Sequence, residues 1–76
     1  MLINGAQCRM ARAALQIGVR ELATMAKVAT ATVTRLEAGQ TLKPRTVEAI
    51  QHALEKAGVV FTNGDGPGVR LKKQQV

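Results

Sequence analysis

Apolar residues recur at Val47, Ile50, Ala53, Leu54 and Ala57, a spacing that lines one face of an α-helix. Pro44 suits the first turn of that helix and Gly58 its end, while Lys43, Arg45, Glu48, Gln51, His52, Glu55 and Lys56 fill the remaining circumference. A helix is predicted over 4–17 as well, from Cys8, Ala11, Ala14 and Leu15, with Asn4 as its N-cap and Gly18 as the glycine that closes it. A short third one fits Val19 to Ala26, where Leu22, Ala23 and Ala26 form the apolar stripe and Arg20, Glu21 and Thr24 stay outside. Beyond Gly58 the texture changes. Val59-Val60-Phe61-Thr62 and Val69-Arg70-Leu71-Lys72 carry strand signals, and the Asn63–Gly68 stretch between them is dense turn chemistry. A β-hairpin is predicted there, followed by a frayed tail over 73–76.

One segment is ambiguous. In Lys27-Val28-Ala29-Thr30-Ala31-Thr32-Val33-Thr34-Arg35-Leu36-Glu37-Ala38-Gly39 the threonines alternate with small apolar residues, the period of a half-buried strand. A lone strand between helices has no neighbour for its ladder of backbone groups. Coiled as a helix, the segment aligns Ala29, Val33 and Leu36 on one face, against Leu15, Leu22 and Ala26, and Gly39 supplies the stop. Threonine's poor helix propensity costs a few tenths of a kcal/mol each, less than burial of Val33 and Leu36 returns. Helix is the prediction, with the threonines on its exposed side.

Composition narrows the chemistry. A chain of 76 residues is one domain with a modest core. The single cysteine, Cys8, forms no internal disulfide and is expected to be a small buried hydrophobe in a reducing compartment. His52 is the only histidine, so no metal-site spacing exists, and no metal or cofactor is expected. The chain has no serine or tyrosine and one aspartate, Asp65, among glycines, a poverty of groups that argues against an enzyme and any catalytic residue. Arg9 and Arg12 interrupt the apolar N-terminal stretch, so neither a signal peptide nor a membrane span is expected, and a cytoplasmic location is. The net charge is +6, from eleven Lys and Arg against five acids, which implies a polyanion, an acidic protein or an anionic surface as partner.

The run Val19 to Gly39 resembles the helix-turn-helix of the phage repressor and Cro family, the Xre-type regulators. The matching pieces are Glu21-Leu22-Ala23, the turn valine Val28, the segment Thr30 to Leu36, and Arg35-Leu36-Glu37-Ala38-Gly39; the resemblance extends over residues 6–58. It implies a mainly α fold, a four-helix repressor-like domain over 1–58, here followed by a hairpin over 59–72 where the family has a fifth helix. Several positions depart from the family. Lys27 stands where a positive-φ glycine is usual, Val19 where a phosphate-binding glutamine is common, and Gly18 where a Ser/Thr cap precedes the second helix. The cap of the recognition helix falls on Ala29 or on Thr30. The resemblance also implies an ion pair between Arg12 of the first helix and Glu37.

What the resemblance implies for function is sequence-specific binding of double-stranded DNA by a transcriptional regulator, a repressor foremost. Thr30, Ala31, Thr32, Thr34 and Arg35 would meet base edges in the major groove, because threonine offers a hydroxyl and a methyl at short range. Arg35 would either read guanine or hold a phosphate. Lys27, Lys43 and Arg45 would clamp phosphates, with Arg20 and Arg9 as secondary candidates. One such domain buries too little surface for strong specificity, so a homodimer on an inverted-repeat operator is expected. Val59, Val60, Phe61, Val69 and Leu71 make the hairpin more apolar than a free ribbon tolerates, which marks it as the dimer interface, unless it folds over its own fourth helix. Two other readings stand beside this one: an antitoxin whose C-terminal segment holds a toxin, and a protein-interaction module that has lost DNA binding.

Overall fold

A computed structural model describes residues 2–63 and 66–72. The chain runs α1 (Gly5–Leu15), α2 (Val19–Ala26), α3 (Thr30–Glu37), α4 (Pro44–Lys56), β1 (Val59–Thr62) and β2 (Gly68–Leu71). The protein is thus mainly helical with a two-stranded antiparallel hairpin. The tail over 73–76 and the turn residues Gly64 and Asp65 lie outside the described residues.

Asn4 caps α1 as predicted. Its carboxamide oxygen accepts from the Gln7 N–H at 2.8 Å, and the Gln7 side chain accepts from the Asn4 N–H at 3.0 Å. This reciprocal pair satisfies two donors the first turn would leave orphaned. The other end of α1 differs from expectation. The helix stops at Leu15, and Gln16, not Gly18, takes the left-handed conformation at φ 59°. The Ile17 N–H then bonds back to the Arg12 carbonyl at 3.0 Å, turning Ile17, the residue just before Gly18, onto the core. Gly18 is left extended, as the N-cap of α2.

Lys27 ends α2 in the left-handed region, φ 59° and ψ 43°, at a cost of about 1 kcal/mol for a residue with a Cβ. In return the Lys27 and Val28 N–H groups reach the Thr24 and Ala23 carbonyls, and Val28 packs against the core. The ambiguous segment is helical: Val33 is fully buried and Leu36 nearly so. Ala29 is not part of that inward line. It is extended and exposed as the N-cap, where it contributes no side-chain hydrogen bond, and Thr30 is already the first helical residue. The apolar face of α3 is therefore only two residues wide, completed by Val28 from the turn.

The core joins Leu22, Val33, Ile50 and Leu54 with Cys8, Ala11, Ile3 and Val59. Within it α2 packs against both α3 and α4, α1 covers α3, and the hairpin closes over α1 and α4. Strand register pairs Val59 with Leu71, Val60 with Arg70, and Phe61 with Val69. Cross-strand partners share a face, so Val59, Phe61, Val69 and Leu71 point one way while Val60 and Arg70 point the other. Val59 is 1% exposed and part of the core, Phe61 and Val69 rest partly buried against it, and Leu71 is 47% exposed. The hairpin thus covers its own helices. Gln7 fastens it, donating from Nε2 to the Thr62 carbonyl at 3.2 Å and the Gly68 carbonyl at 3.4 Å. Among the described residues, no helix is long and apolar enough to cross a membrane, and no three His, Cys, Asp or Glu side chains are grouped to hold a metal ion.

Candidate nucleic-acid interface

With Val33 and Leu36 turned inward, α3 presents Thr30, Ala31, Thr34 and Arg35 to solvent and holds Thr32 half-buried. The side chains nearest its N-terminus are short, so little stands between that end of the helix and an approaching surface. The Thr34 hydroxyl donates to the Thr30 carbonyl one turn back at 3.2 Å. Its proton is used within the helix, and its free lone pairs face outward as acceptors. Ala29 offers no oxygen to the first-turn N–H groups of α3; Gly18 and Lys43 likewise give no side-chain cap to α2 and α4. The Gly18 N–H is nonetheless met by the Glu21 carboxylate in the first turn of α2, at 3.4 Å, so α3 and α4 are the helices that keep unfilled, partly positive N-termini.

The three foremost phosphate candidates, Lys27, Lys43 and Arg45, fall into two places. Lys43 and Arg45 are exposed at the start of α4. Lys27, also exposed, instead lines a surface hollow with Met25, His52 and Lys56, against the C-terminal half of α4. At 1.5 Å per residue, α4 separates the two places by roughly 15 Å. Arg20 stands exposed on α2 beside Thr24 and Met25. His52 is an exposed helix residue.

Beneath α3 lies a cluster that the sequence foretells only in part. The Arg12 guanidinium meets the Glu37 carboxylate through two parallel bonds of 2.7 Å, from Nε and from Nη2. The pair is largely shielded, with 21% of the Arg12 and 10% of the Glu37 side chain exposed. Burial alone would push the Glu37 carboxyl up. The Arg12 and Cys8 hydrogen bonds, with the charges of Arg12 and Arg9, outweigh it and hold the group below its ordinary 4.5. The hydrogen bonds to Glu37 in turn raise Arg12 above its usual value. With Glu37 neutralised from within, the stretch from Lys27 to Arg45 carries four cations and no free acid.

Three members of this cluster have roles the sequence reading missed. Arg9, expected at most to touch phosphate, donates to the Glu37 backbone carbonyl at the end of α3. Cys8 is buried and donates its thiol to Glu37 Oε2 at 3.2 Å. Gly5 lies directly against the end of α3. Only Asn4-x-x-Gln7, a capping-box spacing, gave a local signal near them.

Burial first, then the bond to Glu37, pushes the Cys8 thiol up from 9.0 to about 12. A raised folded-state pKa gives stability that is intact below pH 9 and lost as pH rises toward 12. Alkylation of Cys8 by iodoacetamide at pH 8 should accordingly proceed only through unfolding, and accelerate in step with denaturant. Rapid labelling of the native protein would contradict the buried, bonded thiol.

Comparison with known protein-family models, curated proteins and solved structures gives no match to this chain.

Proposed function

We propose that the chain is a sequence-specific DNA-binding transcriptional regulator, a repressor foremost, of the helix-turn-helix type that its sequence resembles, with α3 as the helix laid in the major groove. One observation carries this reading: α3 buries Val33 and Leu36 and turns Thr30, Ala31, Thr34 and Arg35 outward from an uncapped N-terminus. An α-helix fits the major groove, and short hydroxyl and methyl groups permit close approach to base edges. Thr32, half-buried, takes the edge of that face. Thr34, its proton committed to Thr30, acts as an acceptor and suits the amino group of adenine or cytosine. Arg35 reads guanine or grips the adjoining phosphate.

Phosphates are held on two sides, by Lys43 and Arg45 at the start of α4 and by Lys27 and Arg20 around α2. The domain works as a homodimer on an inverted repeat, since one α3 reads too few base pairs for specificity. Of the five apolar hairpin residues, Leu71 and Val60, with the unpaired strand edges, are the part left for a partner; Val59, Phe61 and Val69 serve the chain's own core.

Selection from a random duplex pool tests the reading. Two half-sites related by a two-fold are expected, and Arg35→Ala should bind them about tenfold or more weakly while relaxing preference at one position per half-site. An unenriched pool would refute the reading; a single non-palindromic motif would refute the dimer.

A further inference from the structure

A Cβ added at Gly5 would sit 2.3 Å from the Leu36 carbonyl oxygen and 3.0 Å from the Glu37 Cα. Those are backbone atoms, so no rotamer change relieves the clash. One turn further along α1, the Arg9 guanidinium donates to the next carbonyl, that of Glu37. Two consecutive carbonyls at the end of α3 are therefore held by α1, one by close contact and one by a charged hydrogen bond. Leu36 O also accepts from the Gly39 N–H at 3.0 Å, so the same atom closes α3 and touches α1.

The N-terminal end of α1 is itself fixed. Gln7 ties it to both hairpin strands, and the Ile3 N–H donates to Gln51 Oε1 on α4 at 3.1 Å. A rigid path thus runs from α4 and the hairpin, through α1, to the C-terminal end of α3. The opposite end of α3 is held differently: Ala29 and Thr30 are exposed and uncapped, and the turn before them is tied to α2 by the Lys27 and Val28 N–H groups and the packing of Val28.

We infer that Gly5 and Arg9 are positioning residues that set the height and tilt of α3 by seating its last two carbonyls on α1. This rests on the reading of α3 as the helix that meets the bases. Neither residue needs to touch DNA. Base readout depends on side chains meeting base edges within hydrogen-bond tolerance, whereas phosphate contacts from long lysines and arginines adapt to a small shift. A displaced α3 should therefore lose discrimination before it loses non-specific affinity.

The test uses the full chain and a duplex selected by the wild type. Gly5→Ala should displace the end of α3 by about 1 Å relative to α2, because the added carbon must clear a backbone oxygen. Its affinity for the selected duplex should fall about tenfold or more, with non-specific affinity and the slope against salt unchanged. Arg9→Ala, at an exposed site, should fold and shift the ratio of specific to non-specific affinity in the same direction, and Arg9→Lys should restore part of it. Ile50→Val, a core trim on α4, controls for lost stability and should leave the ratio intact. Equal losses on specific and non-specific DNA, or an unchanged ratio in both Gly5→Ala and Arg9→Ala, would overturn the inference. Should the wild type select no duplex, the proposed function fails separately, and the position of α3 in Gly5→Ala, displaced or not, decides the inference alone.

Discussion

Arg12→Met should lower the thermal midpoint by about 10–20 °C. Removing one partner of a fully buried ion pair costs about 3–5 kcal/mol, and an exposed pair is worth under about 1 kcal/mol. The shielding of Arg12 and Glu37 places this pair between them, at about 2–3 kcal/mol. That is a large share of the stability of so small a domain, in which each kcal/mol moves the midpoint by about 4–8 °C. Glu37→Gln should cost less. In Arg12→Met an unpaired carboxylate faces the negative end of α3, whereas in Glu37→Gln the cations of Arg9 and Arg12 remain beside that end and favour it. The pair also sets an acid limit. Glu37 titrates below its ordinary 4.5 when folded, so its contribution is complete above that pH and is lost as pH falls below it. Wild type and Glu37→Gln should converge in stability in that acid range, as read by thermal melts across pH.

Affinity for the selected operator should fall about 10³-fold or more between 50 and 200 mM salt. Counting Lys27, Lys43 and Arg45 alone, a dimer neutralises about six phosphates or more and releases a matching number of counterions, which gives a slope of about −5 or steeper for log affinity against log salt. Lys43→Ala and Arg45→Ala should each weaken binding to all sequences alike and flatten that slope by about 1 per protomer. Thr30→Ala should leave the slope alone and change base preference, because a hydroxyl on a base edge displaces no counterion. A slope near zero would remove the phosphate clamp from the account.

Much of this architecture could be read from the chain. The α4 stripe, the bounds of α2, the Asn4 cap and the hairpin follow from periodicity and turn chemistry, which are local; the helical nature of α3 goes against its local period and follows from the want of a strand to pair with. The Arg12–Glu37 contact came through a family resemblance; the two residues lie 25 apart in sequence, and nothing local joins them. What stayed hidden was settled by packing. Gln16 rather than Gly18 ends α1 because Ile17 must turn inward, a tertiary demand that overrides glycine's preference for the left-handed region. Ala29 falls on the inward line only for a helix of about residues 29–38; the helix begins at Thr30 and leaves Ala29 outside as its N-cap. Val59 looked like a partner's contact because its apolarity says only that it is covered, not by what. Gly5 and Arg9 carry no sequence signal, since an exposed arginine and a glycine after a cap are common features of any helix start.

The central claim is that α3, with Val33 and Leu36 inward, offers its other side to duplex DNA. Titration of isotope-labelled protein with the selected duplex, followed by amide chemical-shift changes, tests it most directly. The changes should concentrate on residues 20, 27–35 and 43–45 and leave β1 and β2 nearly untouched. Changes centred on the hairpin, or on the α2–α4 hollow around Met25 and His52, would show the duplex gripped elsewhere and contradict the account.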